Sequence, residues 1–212
     1  MNAPAPSLPR RSLLLAAAAC ALPLREAHAG AQVEEPLQDA IRSALSASIA
    51  QSAPPRPKFE AGQVDARMTY LRWLGTMSER LKKRKTETQI RIEFLETVWY
   101  EAKRAGLEPS LVLGLVQVES GFRKYAISTA GARGYMQVMP FWAKLIGDGD
   151  ASRLFHMQTN LRFGCVILRH YLDLERGDLY LALGRYNGSR GKPEYPNAVF
   201  ASRRQWLLPG ES

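Results

Sequence analysis

The carboxyl group with the clearest chemical potential in this sequence belongs to Glu119, which follows the largely apolar residues 111–118. A carboxyl group at the end of a buried helix loses hydration, which disfavours its charged form and raises its pKa. A glutamic acid with a raised pKa keeps its proton at neutral pH and can give it to a leaving group. Glu119 is therefore a candidate general acid, although an acid in this position can also be the first solvated residue after a core.

The residues after Glu119 have the composition of a ligand groove. Between Glu119 and Asp148 the chain contains no aspartate or glutamate. Small residues there allow close approach of the backbone, Gln137 can donate and accept hydrogen bonds, and Tyr135 and Met136 provide apolar surface. This combination predicts a groove for a sugar polymer beside Glu119.

Helical periodicity covers most of the chain that must position this groove. The predicted helices are residues 63–85, 87–105, 109–118, 140–146, 160–174, 179–186 and 196–206. In the first of them we expect an inward stripe of Val64, Met68, Leu71, Leu74, Met77 and Leu81. Residues 126–139 are the best candidate for short strands. The predicted fold class is therefore mainly α.

Length and charge limit the classes of function. The 212 residues, 46% hydrophobic and 23% charged, suit one ordinary domain with extensions or two small domains, and exclude a multidomain machine. Lys and Arg number 29 against 20 Asp and Glu, a net charge of +9, which favours a polyanionic partner. Nucleic acid, an acidic membrane and an anionic cell wall all remain open on charge alone.

The first 29 residues have the pattern of a secretory leader. Arg10 and Arg11 precede the apolar residues 13–24, which are too few to span a bilayer, and small residues end the segment at Ala29. We expect cleavage after Ala29 and export to the periplasm, which argues against nucleic acid as the partner. The paired arginines also resemble a twin-arginine signal. A membrane-associated, lipid-anchored form through Cys20 remains a weaker alternative.

Three further segments follow the leader. Residues 30–62 are rich in Ala, Ser and Pro and predict a tether, with a possible short helix over residues 37–49. Residues 63–85 form the amphipathic helix, whose basic end, residues 80–85, suits either a solvated helix terminus or a docking patch for an anionic surface. Residues 86–208 are expected to be the catalytic domain.

Four ordered motifs carry a family resemblance over roughly residues 87–200. They are Glu119-Ser120-Gly121-Phe122 followed by Ser128, then Gly131-Ala132-Arg133-Gly134-Tyr135-Met136-Gln137-Val138-Met139-Pro140, then Asn160 with Gly164, then Tyr186-Asn187. Together they resemble the soluble lytic transglycosylase (SLT) family, lysozyme-like enzymes that cleave the bacterial cell wall. One motif alone would be weak, but the ordered set is specific.

The resemblance implies a lysozyme-like α+β domain with a deep glycan cleft and no cofactor or metal. It implies that Glu119 is the single catalytic acid/base and that Tyr186 orients it, with Asn187 nearby. The substrate would be peptidoglycan glycan strands, cut at the β-1,4 MurNAc-GlcNAc bond to leave 1,6-anhydro-MurNAc ends. The expected substrate-binding residues are Ser120, Ser128, Tyr135, Met136, Gln137, Tyr186 and Asn187.

The sequence departs from the family pattern at two places. Tyr135 stands where the family commonly has Leu, which another large apolar group should satisfy. Residues 188–191, Gly-Ser-Arg-Gly, stand where Ala-Gly-Pro-Gly is common, which alters a loop beside the cleft. The accepted glycan or peptide substituents are therefore open.

Other chemistries fit the sequence less well. Hydrolytic glycosidases generally use a second carboxylate, which only a distant aspartate, Asp148, Asp150, Asp173 or Asp178, could supply here. A muramidase is thus disfavoured, and a peptidoglycan-binding assembly protein without catalysis is the alternative from another class. The spacing of histidines and cysteines does not predict a zinc site, and Cys165 on a helix is more typical of a core residue than of a thiol catalyst.

Overall fold

The computed structural model describes residues 32, 34, 37–50, 57, 59, 60 and 62–210; the expected leader lies outside them. The described residues form the helices α1 (Asp39–Ala50), α2 (Val64–Leu81), α3 (Thr88–Arg104), α4 (Pro109–Ser120), α5 (Pro140–Ile146), α6 (Met157–Leu174), α7 (Leu179–Asn187) and α8 (Glu194–Arg203), with 3₁₀ helices at Ala151–Phe155 and Arg204–Trp206. The mainly α fold is confirmed. No helix within this described part is long and apolar enough to cross a bilayer.

Helix α4 is the centre of the fold. It starts at Pro109, whose fixed φ angle suits the first helical position, and ten of its twelve residues are buried. It packs against α3 on one side and most extensively against α8. A helix that is apolar nearly all round must be covered on all sides, so the sequence already placed α4 in the interior.

Helix α2 buries the second half of the expected stripe, since Met77 and Leu81 are fully buried, but it does not bury the first half. Val64, Met68 and Leu71 are 61%, 54% and 46% exposed, whereas Tyr70 and Trp73 are buried. The helix carries two apolar stripes, and burying the aromatic one removes more apolar surface from water. Tyr70 and Trp73 also place their rings 5.2 and 4.8 Å from that of a tryptophan on α3.

The basic segment after α2 is partly fastened to the body. Arg80 donates to the carbonyls of Gln205 and Leu207 at 2.9 and 2.6 Å. Lys85 donates to the hydroxyl of Tyr135 at 2.7 Å. Part of the positive charge is therefore structural.

Helix α1 confirms the short helix expected within residues 30–62, and it packs against α5 and α6. Two arginines hold its carboxyl end: Arg104 donates to the carbonyl of Ser48 at 2.7 Å, and Arg162 to that of Ile49 at 3.2 Å. Both also pair with the fully buried carboxylate of Glu101, at 2.9 and 3.0 Å. The α1 residues are thus part of the folded body and not an extended tether.

Strand structure in the described chain is limited to the segment where it was expected. Two isolated antiparallel bridges join Ile127 to Arg133 and Arg133 to Val138. These bridges fold residues 126–139 into a compact turn beside the end of α4.

Candidate active site

Glu119 lies in the last turn of α4, before Gly121 ends the helix in the left-handed conformation with φ of 57°. A non-glycine residue in this conformation is strained, so the glycine suits the abrupt end of the helix. Glu119 is only 5% exposed. Burial raises the pKa of its carboxyl group from 4.5 to about 8, and a hydrogen bond from Tyr195 partly opposes this rise. This raised pKa favours the protonated form of Glu119 at pH 7.

The two carboxyl oxygens of Glu119 have different surroundings. The hydroxyl of Tyr195 donates to Oε1. Oε2 is buried and has no hydrogen-bond partner within the described residues. Over the same residues no arginine, lysine or histidine forms an ion pair with Glu119. One oxygen is thus held in place, and the other is left for an external partner.

Tyr195 is a site residue that the sequence reasoning missed. It lies in the first turn of α8, 76 residues after Glu119, and is itself buried. Its local sequence, between Pro193 and Pro196, carries no catalytic pattern. The packing of α8 along α4 brings its hydroxyl to the carboxyl group, and only this tertiary contact identifies it.

Tyr186, which was expected to orient Glu119, is close to it but bonds elsewhere. Its hydroxyl donates to the backbone carbonyl of Met136 at 2.7 Å. The side chain is fully buried, and burial together with the charge of Glu119 raises its pKa. Tyr186 thus fastens the middle motif beside the acid, while Tyr195 makes the direct bond.

Gln137 and Met136 belong to the turn that Ser120 binds at the end of α4. Gln137 has a φ of 48°, and its side-chain nitrogen donates to the carbonyls of Ala126 and Gly134 at 3.1 and 2.9 Å. Met136 is completely buried. Both of these hydrogen bonds join the Gln137 side chain to the backbone of its own turn. Gln137 therefore stabilises the backbone conformation of this turn.

The side chain of Asn160 on α6 binds the backbone of the same turn. Its side chain accepts from the Met136 amide at 2.8 Å and donates to the carbonyls of Arg133 and Leu154 at 2.8 and 2.7 Å. Gly134 makes this possible, because a Cβ atom there would lie 2.4 Å from the Asn160 nitrogen. The pairing of the middle motif with Asn160 is thus a packing requirement.

The two predicted serines act within loops. Ser120 is buried, and its hydroxyl is placed to bond the carbonyls of Tyr135 and Val116 at 2.8 and 3.1 Å. The hydroxyl of Ser128 accepts from the amide of Ala132 at 3.1 Å. The structure therefore shows both as braces of the turn around Glu119.

Tyr135 and Asn187 do not bond the acid, and they stabilise the structure around it. The Tyr135 ring packs 5.0 Å from that of Phe94, and its buried position raises its pKa to about 12. This is the core role expected of a large apolar group in place of Leu. Asn187, at the end of α7, accepts from the hydroxyl of Ser189 at 3.0 Å.

The loop at residues 188–191, which departs from the family pattern, is held by an ion pair. Arg190 donates to both carboxylate oxygens of Glu175, which Arg185 also binds. Arg190 and Arg185 lower the pKa of Glu175 to about 2. An ion pair thus fixes this loop where the family commonly has proline.

The aspartates considered as second carboxylates are engaged elsewhere. Asp148 accepts from the amide of Asp150 and bonds Arg153, and Asp150 bonds the hydroxyl and amide of Ser152; both side chains lie on the surface, and these bonds lower their pKa. Two further aspartates, Asp173 on α6 and Asp178 at the start of α7, bond Arg169 and the amide of Leu181. Burial and Tyr195 alone account for the shifted pKa of Glu119.

Among the described residues, no three His, Cys, Asp or Glu side chains come together as a metal site. Cys165 is completely buried, and burial raises its pKa, which disfavours a reactive thiolate. The geometry therefore defines a helical domain with a buried carboxyl group of raised pKa at the end of its central helix.

The family is shown by comparison with known proteins. The model of the "Transglycosylase SLT domain" matches residues 96–205, which is about half of the chain. The chain belongs to this lysozyme-like family, as the four motifs indicated. The matched range holds Glu119, Gln137, Tyr186 and Tyr195.

Relatives with known names agree with this assignment. The chain is 33% identical over 135 residues to membrane-bound lytic murein transglycosylase C of Actinobacillus pleuropneumoniae, covering 55% of this chain and 34% of that protein. It is 34% identical over 104 residues to a transglycosylase of Enterobacteria phage PRD1, covering 49% and 38%. The chain thus spans little more than a third of these relatives' length.

A solved structure, an inactive mutant of the lytic transglycosylase Slt from Pseudomonas aeruginosa, is also similar. It is 26% identical, with a TM-score of 0.42, and the match covers 69% of this chain and 24% of that one.

Proposed function

We propose that this protein is an exported peptidoglycan lytic transglycosylase that cleaves the β-1,4 bond between MurNAc and GlcNAc. The observation that carries the proposal is Glu119 itself: a carboxyl group 5% exposed, with a pKa of about 8, no cationic partner in the described chain, and one oxygen held by Tyr195. Such a group is a proton donor at neutral pH. Family membership and the names of the relatives supply the reaction class.

A single carboxyl group suffices if the substrate supplies its own nucleophile. Glu119 gives its proton to the glycosidic oxygen as the bond from that oxygen to C1 of MurNAc breaks. The resulting carboxylate then takes the proton of the MurNAc 6-hydroxyl as its oxygen bonds to C1. The products are a 1,6-anhydro-MurNAc end and a GlcNAc end, Glu119 regains its proton, and water is not consumed.

Tyr195 supports the charged intermediate of this cycle. A hydroxyl that donates to a carboxylate stabilises the ionised form. Tyr195 therefore limits the rise in the pKa of Glu119, so that the acid can both give up and recover a proton. We assign it as a positioning residue that acts through Glu119.

The other predicted residues shape the groove in this proposal. The turn built by Gln137 and Met136 and fastened by Tyr186 presents its backbone to the glycan strand. Direct sugar contacts of Ser128, Tyr186 and Asn187 belong to the same proposal. Ser120 contributes by holding the turn against α4 through the carbonyl of Tyr135, and the Tyr135 hydroxyl is engaged with Lys85.

Export and surface attraction complete the proposal. Residues 1–29 would direct the chain to the periplasm, and residues 86–208 would form the catalytic domain after an N-terminal arm. The excess of basic residues would attract the chain to an acidic wall or membrane. Relatives named as membrane-bound favour association with the membrane.

Digestion of purified sacculi tests the reaction directly. The wild-type chain, Glu119→Gln and the control Glu108→Gln are incubated with sacculi, and the released ends are identified by mass spectrometry. Glu108 precedes α4 and is largely exposed. We expect anhydro ends from the wild type and the control, and none from Glu119→Gln. Reducing ends would instead identify a hydrolase, and binding without products a non-catalytic binder.

A further inference from the structure

The side chain of Gln32 lies against the middle motif, close to Tyr186. It is only 5% exposed, and its Oε1 accepts from the backbone amide of Met139 at 3.4 Å. Gln32 is also close enough to the Tyr186 hydroxyl to influence its pKa. Because the Tyr186 hydroxyl donates to the Met136 carbonyl, Gln32 and Tyr186 both contact the backbone of the middle motif. Gln32, which is far from the catalytic motifs in sequence, thus contacts the middle motif.

The chemistry of the contact resembles that of an N-acetylated sugar. The side chain of glutamine ends in a carboxamide, with one carbonyl acceptor and an N–H donor. The acetamido group of GlcNAc or MurNAc presents the same pair of groups. The backbone amide of Met139 has a single hydrogen, so an acetamido oxygen that bonds there must displace Gln32.

The Gln32 contact has the features of one that can be released. The hydrogen bond that Gln32 Oε1 accepts from the Met139 amide is long at 3.4 Å. A long hydrogen bond is weaker than a well-formed one, so a ligand with better geometry can replace it. Gln32 is thus a weaker occupant than a well-fitted saccharide.

Helix α1 keeps Gln32 close to the groove after release. The helix begins seven residues later, at Asp39, and its other end is fastened by Arg104 and Arg162. Seven residues can span at most about 25 Å, so Gln32 cannot move far from Met139. A short connection of this kind gives an effective concentration on the order of millimolar.

We propose that Gln32 is an intramolecular competitor that occupies the place of a substrate acetamido group and holds the groove in a partly inhibited state. The inference rests on the proposed function, because it takes the groove to bind N-acetylated glycans. Substrate binding and Gln32 binding are then mutually exclusive, and the apparent affinity for glycan is lower than the intrinsic affinity of the open groove.

Binding of chitotriose, which carries three acetamido groups, tests the competition without requiring catalysis. Isothermal titration with the full chain compares the wild type, Gln32→Ala and the exposed control Gln38→Ala. We expect the dissociation constant to fall about two- to tenfold in Gln32→Ala, the factor that corresponds to one hydrogen bond, and to stay unchanged in the control. An unchanged or raised constant in Gln32→Ala overturns the proposal.

Kinetics on soluble glycan strands separate competition from a structural role. Gln32→Ala should lower KM by the same factor and leave kcat unchanged. A lower kcat would make Gln32 a supporting part of the site and would contradict the proposal. Absence of cleavage by all three proteins would contradict the proposed reaction, while the chitotriose titration would still decide the role of Gln32.

The side-chain amide of Gln32 provides a direct signal of displacement. Its ¹⁵N–H₂ resonances can be assigned by their absence in Gln32→Ala. During titration with chitotriose we expect them to move to the positions of a solvated glutamine amide. Resonances that stay fixed while chitotriose binds would overturn the proposal.

Discussion

Two glutamates of the same helical core, Glu101 on α3 and Glu119 on α4, are buried to a similar extent and in opposite electrostatic settings. Glu101 is completely buried between Arg104 and Arg162, which also bind the end of α1. Glu119 has a tyrosine hydroxyl and no cation in the described chain. One carboxylate is a counter-charge that fastens two helices, and the other is a neutral acid.

The difference shows that burial alone does not make a proton donor. A buried carboxyl group that is surrounded by guanidinium groups forms ion pairs with them. Removing one partner of such a buried ion pair strongly lowers the stability of the fold. The same group without cations holds its proton, because its charged form has lost water and gained little in return. The chemistry of Glu119 therefore depends on what α4 and α8 exclude from its neighbourhood.

Removing each carboxylate should separate activity from stability. Glu119→Gln should reduce kcat by about 10²–10⁴-fold, the usual contribution of a general acid, while the thermal midpoint at pH 7 does not fall. Release of soluble fragments from sacculi and a melting curve measure the two effects. Residual activity within tenfold of the wild type would rule out Glu119 as the acid.

The reciprocal change should lower stability. Glu101→Gln should cost about 3–5 kcal/mol in the free energy of unfolding, because two buried guanidinium groups lose their counter-charge. Asp173→Asn, which removes an exposed partner of Arg169, is the matched control and should change it by less than about 1 kcal/mol. Urea titration measures both. A small loss in Glu101→Gln would show that the anchor of α1 does not depend on this carboxylate.

The stability of the wild type relative to Glu119→Gln should depend on pH with a defined sign. Below pH 4.5 the carboxyl group is protonated in both the folded and the unfolded chain. Between 4.5 and about 8 only the unfolded chain releases the proton, so the wild type loses stability as pH rises. The gap between the variants should grow by on the order of 4 kcal/mol across this window. Denaturant curves at pH 4, 6 and 9 measure it, and a constant gap would contradict the raised pKa.

The rate of cleavage should report the same group. Because Glu119 must be protonated to start the reaction, activity should fall above about pH 8. A pH–rate profile on sacculi, with folding checked at each pH, tests this fall in activity at high pH, which is the basic limb of the profile. A limb near the ordinary pKa of a glutamate would show that the acid is hydrated during catalysis.

Tyr195→Phe should have a smaller effect on activity than removal of the Glu119 carboxylate. Loss of the hydrogen bond to the carboxylate should raise the pKa of Glu119 further and move the basic limb to higher pH, with kcat reduced about tenfold. Tyr186→Phe is the control, because its hydroxyl bonds the Met136 carbonyl and not the acid. An equal shift of the limb in both variants would remove the distinct role of Tyr195.

Local periodicity predicted most of the fold and the buried position of Glu119. The all-round apolar character of α4 placed that helix in the core and therefore placed Glu119 at its boundary. The first half of the predicted α2 stripe was wrong, because two apolar stripes on one helix cannot be ranked without knowledge of the partner surface. Tyr70 and Trp73 were buried in preference to Met68 once α3 supplied an aromatic contact.

The partners of the acid could not be predicted, because they come from distant segments. Tyr195 reaches Glu119 only through the packing of α8 on α4, and Gln32 reaches Met139 across 107 residues. The direction of a side chain was equally hidden: Ser120 follows the acid in sequence, yet its hydroxyl points to the carbonyl of Tyr135.

The central position of α4 links the reactivity of the acid to the tightness of the fold. Any loosening that lets water reach the last turn of α4 returns the carboxyl group toward its ordinary ionisation and so removes the donor. On warming, activity should therefore fade before the helices melt. Local fluctuations of the protein interior would then abolish the proposed activity.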